Sequence, residues 1–167
     1  MWYAERRLLH KVVRAYRPQV CAEVGTWKGG GSTFITALAL RQNGAGRLHT
    51  WETDASLHET ARAAYDRHLP ELAAHVSFHR SDYQEGPVLP DVNCLMLDGP
   101  EDAQSTLEQL RFFESKMRPG SALLVHDWHT EKARLVRPLL AGDARFRIVA
   151  RVDPPISVGF VVAVKAS

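Results

Sequence analysis

Apolar positions recur along this chain in two rhythms. Unbroken apolar runs stand at Val20–Val24, Val92–Leu97 and Ala122–Val125, interrupted only by Glu23 and Asn93, and such runs mark strands buried on both faces. Elsewhere the apolar residues follow the helical repeat. Tyr3, Leu8, Leu9, Val12, Val13 and Tyr16 share one side of a helix over residues 2–16, with Glu5, Arg6, Arg7, Lys11 and Arg14 largely opposite and Pro18 as the stop. A second helix is expected from Ser32 or Thr33 through Leu40. A third, capped by Asp54 or Ser56, runs through Leu57, Ala61, Ala64, Tyr65 and Leu69 to a break at Pro70. A fourth starts at Asp102 and carries Leu107, Leu110, Phe112, Phe113 and Met117, and a last one spans about Glu131 to Leu140. Shorter strands are expected at Leu48–Glu52, His75–Tyr83, Phe146–Val152 and Val158–Val164. Gly44, Gly46, Gly86, Pro87, Pro90 and the Pro119-Gly120 pair punctuate the links.

Strands alternating with helices predict an α/β fold, a doubly wound sheet with helices on both faces. Seven strands are expected, mostly parallel. The two closing strands, joined by only Asp153–Ser157, form an antiparallel pair. In such sheets ligands bind outside the carboxyl ends of the strands, where the strand order reverses. Every polar cluster in the chain falls at one such end: Gly25–Ser32, Glu52, Ser81–Tyr83, Asp98 and His126–His129.

Composition narrows the class without adding chemistry. At 167 residues, 24% charged and 45% hydrophobic, the chain fits a single domain, 1–167, whose first helix (1–17) leads into the sheet. A formal net charge of +2, with basic residues scattered, speaks against a nucleic-acid partner. No run approaches the ~18 apolar residues of a membrane span, and the charged opening is unlike a secretory signal, so a cytoplasmic protein is expected. Cys21 and Cys94 each lie in a buried strand and read as small hydrophobes.

The glycine loop between the first strand and helix brings backbone N–H groups toward a ligand. Glu52, ending the second strand, can accept both hydroxyls of a ribose, and Ser81, Asp82 and Tyr83 offer polar and aromatic surface for an adenine. These features suggest an adenosine-containing ligand. A dinucleotide fingerprint needs a second glycine where this chain has Trp27, and Glu23 would sit near the pyrophosphate. Glu23 could instead pair with an ammonium, so S-adenosylmethionine is favoured.

At this point the chain resembles class I S-adenosylmethionine-dependent methyltransferases, which share a Rossmann-like fold, and among them the small-molecule O-methyltransferases of the catechol type and their bacterial relatives. The resemblance is carried by Glu23–Thr33, Trp51–Asp54, Leu95–Gly99 and Arg118–Trp128. It implies that Glu23, Gly25, Trp27 and Ser32 surround the methionine part, with Thr26, Lys28 and Gly29 in the same loop. Gly31 and Ser32 both remain candidates for the family's serine position. The resemblance further implies Glu52 at the ribose with Thr53 beside it, Ser81, Asp82 and Tyr83 about the adenine, and Asp98 beneath the sulfonium.

The catalytic half departs from the pattern. Relatives that bind Mg²⁺ use the acids matching Asp98 and Asp127 and then an amide, where this chain has Trp128; the lysine of the catechol branch falls at Glu101. His126 and His129 are the natural replacements as base. The reading is O-methylation of a small-molecule hydroxyl with Asp98, His126 and Asp127 as catalytic residues and an Mg²⁺ site at Asp98 and Asp127. The rivals are a nicotinamide-dependent oxidoreductase and a module that binds the cofactor without catalysis. A homodimer is expected to close the pocket, because the chain has no large insertion to serve as a lid.

Overall fold

The computed structural model describes residues 1–89, 91–99 and 102–166. Two of the residues named above, Pro90 and Glu101, lie outside them. The lead-in helix α1 is Tyr3–Tyr16, and Arg17 in the left-handed conformation (φ 46°) turns the chain out of it before Pro18. Then follow β1 (Val20–Val24), α2 (Ser32–Asn43), β2 (Arg47–Trp51), α3 (Ala55–His68), the short α4 (Pro70–Ala73) and β3 (Val76–His79). The second half comprises β4 (Val92–Leu97), α5 (Ala103–Glu114), β5 (Met117–His126), α6 (Val136–Gly142), β6 (Phe146–Val152) and β7 (Phe160–Lys165). The predicted caps are in place: Asp54 accepts from Leu57 N at 2.9 Å and Asp102 from Ser105 N at 2.8 Å.

The seven strands form one sheet in the order β3-β2-β1-β4-β5-β7-β6, parallel except for the pairs β5/β7 and β7/β6. Strand order reverses between β1 and β4. Side chains of the central strands alternate between two cores, as the pleat requires. Leu95 and Leu97 join Phe113, Leu123 and Val161 on the face covered by α5 and α6, while Cys94 and Met96 join Leu9, Val13 and Leu40 on the face covered by α1 and α2. Asn93, the polar break in the β4 run, accepts from the backbone N–H groups of Gln19 and Val20, both at 3.0 Å, and so ties the start of β1. Cys21 and Cys94 are cross-strand neighbours, buried and free, and their contact together with burial pushes the Cys21 thiol well up, away from thiolate reactivity.

Several expectations are corrected, among them the strand expected to reach Tyr83, which closes at His79, and Met117, which was expected on the helix from Asp102 and instead opens β5. The helix expected from Glu131 to Leu140 is split into a 3-10 turn, Glu131–Ala133, and α6, because Pro138 has no N–H for a bond to Arg134 and can stand only in the first turn of a helix. β5 begins at Met117, not Ala122: Pro119-Gly120 lies in an irregularity between Val92↔Met117 and Cys94↔Ala122, where a proline is tolerated. β7 begins at Phe160, because Gly159 at φ 104° takes a conformation that strand residues do not adopt.

At the β2/β3 edge, His49 Nδ1 lies 3.1 Å from His79 Nε2, and the His79 ring lies 5.1 Å from that of Trp51. Burial, then His79 and Arg47, pull His49 down to about 4, and burial likewise lowers His79. A histidine whose folded value is depressed stabilises the fold above its ordinary value near 6.5, and that contribution disappears as pH falls through its folded value. Melting temperature is therefore expected to drop between about pH 6.5 and pH 4. Thermal scans across that range check it; a double variant with phenylalanine at both positions should flatten the slope, and an unchanged slope would refute the assignment.

Candidate active site

The carboxyl ends of β1, β2, β3 and β4 surround a cleft of about 660 Å³. Its floor is backbone. Gly25, at φ 99°, lies so close to β4 that an added Cβ would fall 2.6 Å from the Asp98 carbonyl oxygen. Gly99 meets the Gln109 side chain and Val24 in the same manner. The next turn carries Trp27 with a left-handed backbone (φ 48°) and its indole 61% exposed at the cleft wall. Trp27 N donates to Glu52 Oε2 at 2.9 Å and Asp54 N to Glu52 Oε1 at 3.0 Å. Two backbone donors thus orient the one carboxylate at the end of β2.

Of the residues expected to hold a cofactor, Gly25, Trp27, Glu52 and Thr53 line the cleft, as do Ser81, Asp82, Tyr83 and Asp98. The rest support the loop from behind. Glu23 is fully buried, accepting from Thr33 Oγ1 at 2.6 Å and Thr50 Oγ1 at 2.7 Å, while Thr26 Oγ1 meets Thr50 Oγ1 at 2.6 Å. Burial raises the Glu23 carboxyl to about 7 against the pull of the Ser32, Thr33 and Thr50 hydroxyls. The Gly29 carbonyl accepts from Tyr65 OH at 3.0 Å, and Lys28 Nζ lies 5.0 Å from the Trp27 ring. Ser32 opens α2 and donates through Oγ to Asp98 Oδ2 at 3.0 Å, whereas Gly31 is only the N-cap. Tyr83 belongs to the wall more than to free aromatic surface, being packed edge-on against Phe112 at 5.1 Å.

Gln84, Ser105, Glu108 and Gln109 complete the lining. None was legible in the sequence, since polar residues on a loop or helix carry no mark of which face meets a cleft. Among the described residues, Trp51 Nε1 and Gln109 Oε1 are buried without a hydrogen-bond partner, and both residues line this cleft. Trp51 Nε1 lies against Gly86, where an added Cβ would collide with it.

Beyond Asp98 the site becomes a charge cluster. His126, at the end of β5, sets Nδ1 2.9 Å from Asp98 Oδ1 and 3.1 Å from Asp127 Oδ2, contacts that are ionic in distance though off the ideal hydrogen-bond direction. Its Nε2 lies 3.1 Å from Glu5 Oε2 on α1. Glu5 is fully buried and also accepts from Trp2 N at 2.6 Å. Burial alone would discharge His126, but Asp127, Asp98 and Glu5 outweigh it and push the imidazole up to about 11. Burial likewise pushes against the Asp98 and Asp127 carboxylates, yet His126 and Lys132 hold both below their usual range. With a carboxylate near each ring nitrogen, the surroundings favour the charged form of His126, which speaks against the expected role as a base.

Lys132 is the member that sequence reasoning missed. It follows the expected helix start and looks like a solvated cation, yet it is 1% exposed and sets Nζ 3.4 Å from both Asp98 Oδ1 and Asp127 Oδ2. His129, the other candidate base, points away to Asp153 Oδ1 at 2.9 Å. Asp98, His126 and Asp127 do bring ligand atoms within 4.8 Å of one another. A divalent cation would have to compete there with the Lys132 ammonium, which lies 3.4 Å from the same Asp98 and Asp127 oxygens and already brings positive charge to them. Trp128, buried in the core, does not supply the oxygen of an amide.

Residues 22–128 match the family described as Methyltransferase domain. No curated protein matches the chain significantly. Among solved structures, the chain is similar to the O-methyltransferase TomG from Streptomyces achromogenes, involved in tomaymycin synthesis and solved with SAM, at 20% identity and a TM-score of 0.78 over 100% of this chain and 82% of that one. An O-methyltransferase from Bacillus cereus in complex with SAH matches at 18% identity and 0.76, over 99% and 82%. The SAH-bound methyltransferase PaMTH1 of Podospora anserina matches at 14% and 0.68, over 97% and 78%. At these identities the likeness is one of fold.

Proposed function

The chain belongs to the methyltransferase-domain family, and on that premise we propose that residues 1–167 act as one domain that transfers a methyl group from S-adenosylmethionine to a hydroxyl of a small molecule. The observation that carries the reading is Glu52, held by two backbone N–H groups at the mouth of a cleft whose floor has no room for a Cβ at Gly25. When bound, S-adenosylmethionine supplies a methyl carbon made electrophilic by its sulfonium.

The chain's own part is alignment. Gly25 and Trp27 bound the methionine end, Glu52 accepts the ribose hydroxyls, Ser81, Asp82 and Tyr83 flank the base, and Asp98 contributes negative charge beneath the sulfonium. Asp127, with a left-handed backbone (φ 56°) and a partly exposed carboxylate, accepts the hydrogen bond of the incoming hydroxyl, turns an oxygen lone pair toward the methyl and takes up the hydroxyl proton as the oxygen bonds to carbon. Holding nucleophile, carbon and leaving group in line is the main requirement of such a transfer. A second copy of the chain covers the acceptor side, a reading supported by the exposed Trp2 and Tyr3 at the start of α1, close to Glu5 and His126.

Titration with S-adenosylhomocysteine tests the cofactor. Ligand at a hundred times its dissociation constant is expected to stabilise the protein by about 2.7 kcal/mol. Glu52→Ala, which removes charged hydrogen bonds of about 1.5–3 kcal/mol, should weaken binding by roughly tenfold to a hundredfold. Stabilisation by NADH in place of S-adenosylhomocysteine would overturn the reading. Labelled methyl transfer to a panel of hydroxylated aromatics then separates an enzyme from a module that binds without catalysis.

A further inference from the structure

We infer that the Lys132 ammonium takes the place of the divalent cation used by magnesium-dependent relatives, balancing the Asp98 and Asp127 carboxylates so that Asp127 receives the acceptor with no metal. The inference rests on the methyl-transfer reading above.

Three of the four oxygens such a cation would need already face a nitrogen or a hydroxyl. Asp98 Oδ1 faces both Lys132 Nζ at 3.4 Å and His126 Nδ1 at 2.9 Å, and Asp98 Oδ2 accepts from Ser32 Oγ at 3.0 Å. Asp127 Oδ2 faces the same Lys132 and His126 nitrogens, at 3.4 and 3.1 Å. The ammonium is therefore shared between the two carboxylates rather than resting beside one.

Lys132 is also built in. It lies in the 3-10 turn Glu131–Ala133, where Ala133 is fully buried, and its own side chain has almost no exposure along which to swing out. The preceding loop is pinned: Arg137 Nη1 donates to the Trp128 and Thr130 carbonyls at 2.7 and 3.0 Å, and Thr130 Oγ1 donates to the Asp127 carbonyl at 2.9 Å. A lysine is buried this deeply only where carboxylates compensate its charge. A metal carrying twice that charge would have to displace it into the core.

Consequently the acceptor is a hydroxyl held one at a time. An ammonium this enclosed offers no open coordination positions, so a vicinal diol gains nothing here from chelation.

The test is a titration with Mn²⁺, read as loss of the free-ion electron paramagnetic resonance signal, on wild type, Lys132→Met and Lys132→Arg. Methionine keeps the length of the stem and drops the charge. Wild type and Lys132→Arg are expected to take up no Mn²⁺ beyond an Asp127→Asn control. Lys132→Met should bind one equivalent, at least tenfold more tightly than wild type. The assignment is overturned if wild type binds Mn²⁺ at a site lost in Asp127→Asn, or if a folded Lys132→Met that still binds S-adenosylhomocysteine takes up none. Should Lys132→Met fail to fold, the wild-type arm decides alone. Failure of wild type to bind S-adenosylhomocysteine would sink the methyl-transfer reading separately, and leave the metal titration to judge Lys132.

Discussion

Gly25→Ala is expected to weaken S-adenosylhomocysteine binding by at least a hundredfold and to lower the stability of the fold by about 3 kcal/mol, the sum of a left-handed backbone penalty and an overpacked contact. The reason is geometric. Gly25 follows β1 at φ 99°, and a Cβ there would fall 2.6 Å from the Asp98 carbonyl oxygen and 2.8 Å from Gly99 Cα. Both obstacles are backbone, so no side chain can rotate aside. Val24 and Leu97 are paired immediately before them, and the methyl would wedge β1 from β4 where the strand order reverses. Gly30→Ala is the control, since its Cβ meets nothing within 4 Å. Calorimetric binding and urea denaturation of both variants give the comparison; equal losses in the two would show that loop flexibility, not close approach, is what matters.

Asp98→Ala should be the most damaging change in the charge cluster, destabilising by about 1.5–3 kcal/mol because it removes a carboxylate that two buried cations and a hydroxyl share, and reducing methyl transfer to background. His126 Nδ1 loses the nearer of its two carboxylates, Lys132 Nζ loses one of two at equal distance, and Ser32 Oγ loses its acceptor. Asp98→Asn retains shape and the Ser32 contact and should recover part of the stability but little of the rate. The same cluster sets the pH dependence. His126, raised to about 11, contributes stability that is complete below its ordinary value near 6.5, declines steadily above it and is gone once pH passes about 11, while the folded imidazole itself keeps its proton up to that point. Methyl transfer should therefore show no histidine inflection between pH 6 and 8, and an inflection that disappears in a His126→Gln variant would refute the imidazolium assignment.

Local readings succeeded where a single segment carries all the information. The Val20–Val24 and Val92–Leu97 strands, the Asp54 and Asp102 caps and the start of α2 at Ser32 stand where the pattern of apolar, capping and glycine residues puts them. They failed where a proline was underweighted: Pro138 divides the last helix, and Pro119 is absorbed into an irregular strand. The cleft was half legible. Gly25, Glu52, Ser81 and Asp98 end strands and so announce themselves, while Gln109 and Ser105 face the cleft only because α5 packs with that side toward Gly99.

The sequence by itself determined the order of strands and helices and the edge of the sheet at which chemistry gathers, and it suggested a ligand of adenosine type. Burial on both faces of a parallel sheet writes itself as contiguous apolar runs, and the residues that follow such runs are its functional rim. Only the tertiary structure decided the electrostatics. Glu5 reaches His126 across 121 positions of chain, and Lys132 meets Asp98 across 34. Whether His126 is a base or a fixed cation depends on carboxylates brought to it through space, and the sum of desolvation and charge at a buried site cannot be read from neighbours along the chain.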